Sequence, residues 1–187
     1  MAIKIYIDQG HNPRNPNAGA EGNGLREQDI VYRIGVELAE LLRANGNFDV
    51  RLSRSSPTEI LGTSNASSLA ARVNEANSWE ADYFISLHTN ASDVSSASGI
   101  EAYVFRLGTP AAQLAEDIVQ GLAASTGRRI RGVFARPGLY VLKKTEMPAT
   151  LVELGFISNP TEANLMNTRP DLYARGIYNG ILNYFGL

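Results

Sequence analysis

Short apolar runs alternate along this chain with longer segments whose apolar residues recur at helical spacing. No other feature restricts the fold as much. Ile3–Ile7, Phe48–Leu52, Tyr83–His88, Ile100–Phe105, Leu139–Leu142 and Ala149–Glu153 read as strands. Between them, Ile30, Ile34, Leu38 and Leu41 mark a helix over about 27–44 with a stop at Asn45-Gly46, and Leu69, Val73 and Ala76 mark one over about 67–78. Thr109-Pro110 opens a third helix, which carries Leu114, Ile118 and Leu122 and ends near Gly127. Asn159-Pro160-Thr161-Glu162 reads as a capping box opening a short helix, and Ile177, Ile181 and Leu182 mark a last one over about 171–185. Strands alternating with helices predict a three-layer α/β/α domain with a roughly six-stranded, largely parallel sheet. At 187 residues, 44% of them hydrophobic, the chain is expected to form a single domain spanning 1–187.

Composition removes several classes of function. The net charge is -2 and no Lys/Arg run is present, so nucleic acid is not an expected partner. The absence of cysteine excludes disulfides, thiolate metal sites and cysteine nucleophiles. No run approaches the roughly 20 apolar residues of a membrane helix, so no membrane insertion is expected. The first residues alternate like a strand and are not expected to form a signal peptide. Asn65-Ala66-Ser67 and Asn90-Ala91-Ser92 match a glycosylation pattern that is frequent by chance.

The chain has only two histidines, and both end an apolar strand. His11 follows Ile3–Gly10, and His88 follows Tyr83–Leu87. In open α/β sheets ligands gather outside the carboxyl ends of the strands, so the two imidazoles point to one shared site. His11 opens a loop over 12–24 rich in Pro, Asn and Gly, and loops longer than about 12 residues in compact domains are usually functional. A second polar loop, Ser92–Gly99, follows His88.

Two imidazoles alone do not complete a catalytic zinc site, which takes three protein ligands and leaves a position for water. Without cysteine the third ligand must be an acid. Glu27 starts the helix after the His11 loop and can fold back toward His11, with Asp8, Glu21 and Asp29 as rivals. Glu153 is bracketed by Leu151-Val152 and Leu154-Gly155-Phe156. Such a setting desolvates a carboxylate, raises its pKa and suits it to act as a general base. Glu101 and Asn90 are candidates to line the cleft and contact substrate.

Five motifs, in order, resemble those of zinc-dependent N-acetylmuramoyl-L-alanine amidases of the amidase-3 type. They are Asp8-Gln9-Gly10-His11, Asn17-Ala18-Gly19-Ala20, Leu25-Arg26-Glu27-Gln28-Asp29, Ser86-Leu87-His88-Thr89-Asn90-Ala91 and Leu151 through Asn159. Leu69, Arg72, Ala76 and Asn77 also match the helix that precedes the second histidine motif in that family. The resemblance implies one zinc per chain held by His11, Glu27 and His88, with Glu153 as the catalytic carboxylate. It implies hydrolysis of the amide between the lactyl group of N-acetylmuramic acid and L-alanine, with peptidoglycan as partner and the bacterial cell wall as the place of action. Two positions depart from the family pattern: Gln9 stands where Pro or Ala is common, and Asn17-Ala18 precede Gly19 where an Asp often stands. A zinc exopeptidase of related architecture and a non-catalytic wall-binding module are the alternative readings.

Overall fold

The computed structural model describes residues 2–187. Strand β1 (Ile3–Gln9) is followed by a small hairpin, β2 (Glu21–Gly22) and β3 (Leu25–Arg26), set inside the loop after His11. Helix α1 (Glu27–Asn45), strand β4 (Phe48–Leu52), helix α2 (Asn65–Ser78) and strand β5 (Tyr83–Asn90) follow. Then come β6 (Ile100–Val104), α3 (Pro110–Thr126), β7 (Ile130–Ala135), α4 (Tyr140–Lys144), β8 (Ala149–Phe156), α5 (Pro160–Thr168) and α6 (Pro170–Phe185). The main sheet has six strands in the order β4-β1-β5-β8-β6-β7.

The apolar patterning explains the layers. Helix α1 buries Ile30, Val31, Ile34, Leu38 and Leu42 along one stripe, and it ends at Gly46 in the left-handed conformation expected of a glycine stop. Helices α1, α3 and α6 cover one face of the sheet over a core that includes Ile5, Ile7, Ile85, Leu87, Ile118 and Ile177. A smaller core of Tyr6, Val73, Phe84, Val141, Leu142 and Leu151 lies on the other face, under α2 and α4. Because helices cover both faces, β1 reads as a continuous buried run from Ile5 onward and does not alternate.

Strands β4, β1, β5 and β8 run parallel, while β6 lies antiparallel to β8 and carries β7 parallel beside it. The reversal follows from chain length. Only residues 91–99 join β5 to β6, and a parallel return needs a crossover of about a dozen residues or more.

Two sequence expectations are corrected. Leu139–Leu142 is not a strand: Leu139 is the N-cap of α4, and Val141 and Leu142 sit in the smaller core. A four-residue apolar run carries no periodicity to separate the two conformations. The sixth strand is β7, whose sequence Ile-Arg-Gly-Val-Phe-Ala breaks the alternation at Gly132 and leaves Phe134 exposed on the sheet edge. At α5, Asn159 caps Thr161 and Glu162 through its side chain, but Glu162 does not return to close a capping box. Its carboxylate accepts from the backbone N–H groups of Gly99 and Phe156, both at 2.8 Å, tying the loop before β6 to the end of β8.

Candidate metal centre

His11, Glu27 and His88 converge at the carboxyl end of the sheet, one ligand atom from each lying within 4.8 Å of the others. Each arrives on a different element. His88 is in the last turn of the pleat of β5, just before a register shift in the pairing with β8. Glu27 is the first residue of α1, brought in by the β2–β3 hairpin and by the hydrogen bond from its own N–H to Ala20 O at 2.9 Å. His11 follows β1 and adopts φ 66°, a left-handed conformation uncommon outside glycine, and such strain gathers at functional sites.

The contacts around Glu27 fix this geometry. Its Oε1 lies 3.2 Å from His11 Nε2 and 3.1 Å from His88 Nδ1, and accepts the Thr89 N–H at 2.9 Å. Its Oε2 accepts the Ala20 N–H at 2.9 Å. The imidazole rings meet edge to face with centroids 4.8 Å apart. Glu27 is buried, and both histidine side chains remain about a fifth exposed (21% and 19%), so the cluster opens to solvent through its imidazoles. Burial alone would push Glu27 upward. The hydrogen bonds from His11 and His88 outweigh it and hold the carboxyl well below the usual carboxylate range.

These residues fit a zinc ion. Two imidazole nitrogens and one carboxylate oxygen make a three-ligand N/O set of the kind found in catalytic zinc sites. The surrounding backbone packs closely on the ligands. A Cβ on Gly10 would meet the His88 ring at 2.5 and 2.6 Å, and one on Gly19 would meet Glu27 Oε2 at 2.8 Å and His11 Cδ2 at 2.9 Å. The rivals for the third position are engaged elsewhere. Asp8 is paired with Arg72 at 2.5 Å, Asp29 binds Arg26, and Glu21 is exposed.

Glu153 on β8 is the register partner of His88 on one side and of Glu101 on the other. Its Oε2 is buried without a hydrogen-bond partner among the described residues. Burial, reinforced by the negative charges of Glu27 and Glu101, pushes its carboxyl up to about 8. Glu101 itself is satisfied: it accepts from Asn90 Nδ2 at 2.9 Å, from the Tyr103 hydroxyl and from Arg131 Nε. Asn90 and Glu101 therefore hold each other beside Glu153.

Further residues brace the ligands from behind. Arg72 on α2 is buried and donates to Asp8 Oδ1, to Gln9 O at 2.7 Å and to His11 O at 2.6 Å, so it clamps the end of β1 where His11 departs. Ser86 completes the pair by donating to Asp8 Oδ2 at 2.7 Å. Gln9 has a structural use. Its buried side-chain oxygen accepts the Arg54 N–H at 3.0 Å, and Arg54 in turn donates to Gln28 O at 2.8 Å in the first turn of α1. An apolar-bracketed Arg between two polar runs would have been the only sequence signal for Arg54, and Ser53-Arg54-Ser55 gives none.

Comparison with known proteins agrees with this architecture. A family profile described as N-acetylmuramoyl-L-alanine amidase matches residues 5–183. N-acetylmuramoyl-L-alanine amidase LytC of Bacillus subtilis (strain 168) is 39% identical over 185 residues, 97% of this chain and 35% of that protein. CwlM of Bacillus licheniformis, of the same description, is 34% identical over 99% of this chain and 70% of its own length. This chain thus spans about a third of the length of LytC. The crystal structure of an N-acetylmuramoyl-L-alanine amidase from Clostridium difficile 630 superposes with a TM-score of 0.87 at 30% identity, over 99% of this chain and 97% of that one. The match begins in the strand that delivers His11 and runs through Glu27, His88 and Glu153 into α6, and the chain belongs to the amidase-3 family of N-acetylmuramoyl-L-alanine amidases.

Proposed function

We propose that this chain, as one catalytic domain, is a zinc-dependent amidase of the bacterial cell wall. It would cleave the amide joining the lactyl group of N-acetylmuramic acid to the L-alanine of the stem peptide. The observation that carries this reading is the meeting of His11, Glu27 and His88 on one side of Glu153, a half-buried carboxylate whose Oε2 is buried and unpartnered among the described residues. His11, Glu27 and His88 would hold the zinc. When bound, zinc supplies Lewis acidity toward the substrate carbonyl and toward water.

The chain's own residues account for the rest. Glu153 takes a proton from the attacking water and delivers it to the departing alanine nitrogen. Burial raises its carboxyl above the ordinary range, which suits the returning half of that task, because a carboxylate that holds protons weakly could not return one near neutral pH. Glu27 stays ionised, because the imidazoles outweigh its burial, and so keeps its lone pairs for the metal. Asn90 and Glu101 stand beside the base and would border the bound substrate. Loops 12–24 and 91–99 flank the cluster and would form the walls of a groove for a glycan-peptide. Peptidoglycan is the partner this implies, and the wall the place of action. No helix among the described residues is long and apolar enough to cross a membrane.

Product analysis on purified cell wall tests the reading. The expected result is new L-alanine amino termini with no new sugar reducing ends. Cleavage within the peptides would favour the exopeptidase reading, and no release by a zinc-replete protein would favour the binding module.

A further inference from the structure

A cavity of about 130 Å³ lies directly against the metal centre, with His11 and His88 forming one side. Leu69 of α2, Leu139, Tyr140 and Val141 at the start of α4, and Leu151 of β8 also line it. Its other charged lining groups, Asp8 and Arg72, are spent on each other. Asn17, a further polar lining residue, donates to Ser68 Oγ, and the stretch formed by Leu69, Leu139, Val141 and Leu151 is apolar. A more voluminous cavity, about 530 Å³, lies by Phe105 and Met147 at the other end of the sheet and touches none of the four site residues. On the far side of Glu153 the surroundings are polar, with Asn90, Glu101 and Arg131 bonded together.

We infer that this cavity is a subsite for one small aliphatic group next to the scissile amide, and that α4 sets the largest group admitted. The inference rests on the amidase reading above. A preformed apolar concavity favours an apolar group over water. Its volume is slightly below the roughly 150 Å³ of an apolar cavity that binds benzene, so a short aliphatic group fits it better than an aromatic side chain with its linking carbon. The proposed substrate presents the same chemistry, a CH–CH₃ unit, on both sides of the amide: the lactyl group and the alanine. Either one filling the cavity would place the amide between them at the imidazoles.

The test uses the zinc-loaded full chain and soluble N-acetylmuramyl dipeptides. One series carries L-alanine, L-valine or L-phenylalanine at the first position. A second compound replaces the lactyl ether by a glycolyl ether, which removes that methyl. Val141→Ala and Tyr140→Ala enlarge the cavity, and Val141→Phe fills it; circular dichroism and zinc content establish that each variant is folded and loaded. Tyr140 is 37% exposed, so its variant guards against a folding defect at Val141. Size exclusion in the wild type should hold L-phenylalanine about 100-fold below L-alanine in kcat/KM, the scale of discrimination a hydrophobic pocket achieves.

If alanine fills the cavity, both enlarging variants raise the phenylalanine-to-alanine ratio at least about 10-fold and leave the lactyl-to-glycolyl ratio unchanged. If the lactyl group fills it, Val141→Phe abolishes the preference for lactyl over glycolyl and the first-residue series does not move. Either result supports the subsite and identifies its occupant. Unmoved ratios in folded, zinc-replete variants overturn the subsite while leaving the amidase reading intact. A wild type that cannot cleave the L-alanine compound overturns the amidase reading and the subsite with it.

Discussion

His88 and Glu153 face each other as register partners on the adjacent parallel strands β5 and β8. Neighbouring strands lie about 4.8 Å apart, so the backbone ladder itself fixes the separation of a ligand imidazole and the proposed base. Loop movement cannot alter it. Glu27 and His11, by contrast, are carried by a helix start and a strained loop entry and depend on hydrogen bonds for their placement.

Removing one ligand should remove the metal. His88→Ala is expected to lower zinc affinity more than 100-fold, beyond the 10–100-fold typical of losing a supporting contact. Equilibrium dialysis followed by elemental analysis measures this. Added zinc should raise the Tm of the wild type and leave that of the variant unchanged, since a ligand stabilises only the state that binds it.

The two glycines at the cluster should behave as part of it. Gly10→Ala must push the His88 ring away, and Gly19→Ala must displace Glu27 or His11. Each is expected to weaken zinc binding at least about 10-fold, as loss of supporting contacts does, while the far-ultraviolet circular dichroism stays that of the wild type. Unchanged zinc affinity in both would show that the ring positions do not depend on these close approaches.

The metal-free protein should carry a pH signature from Glu153. Its carboxyl is raised from 4.5 to about 8 by burial and then by Glu27 and Glu101. Between these values the native state holds a proton that the unfolded state has released, so this group's contribution to stability declines as pH rises from about 5 to 8. The slope approaches about 1.4 kcal/mol per pH unit. Denaturant titrations of chelated wild type and Glu153→Gln should differ by this slope, with the variant flatter.

Arg72 should matter for both stability and metal. It is buried, pairs with Asp8 and holds the backbone carbonyls of Gln9 and His11. Arg72→Met leaves Asp8 charged and unpaired and is expected to cost about 3–5 kcal/mol in urea unfolding. The double variant Asp8→Asn/Arg72→Met should recover part of that stability but not the zinc affinity, because the clamp on His11 stays broken.

Much of this was legible in the chain because its cues are local. The stripe Ile30, Ile34 and Leu38 and the caps at Gly46 and Thr109 make the helices readable, and the two strand-end histidines announce the site. The structure also brings Glu27 to the histidines and leaves Asp8 and Asp29 with arginines. What was not legible depends on distant partners. The run Leu139–Leu142 becomes helical where it packs on Leu151 and Phe84, and no pattern within the four residues encodes that. Strand β7 exists because β6 offers it an edge, although its own sequence, broken by Gly132, alternates poorly. Gln9 and Arg54 work only through one another and through Gln28, residues far apart in the chain.

In the proposed reaction Glu153 does the proton work at a zinc held by His11, Glu27 and His88. The most direct measurement pairs zinc content with turnover of muramyl-L-alanine peptide in Glu153→Gln. The expected result is about one zinc per chain with kcat reduced at least about 100-fold, the range a general acid–base group contributes. A zinc-replete variant that turns over at the wild-type rate would contradict it.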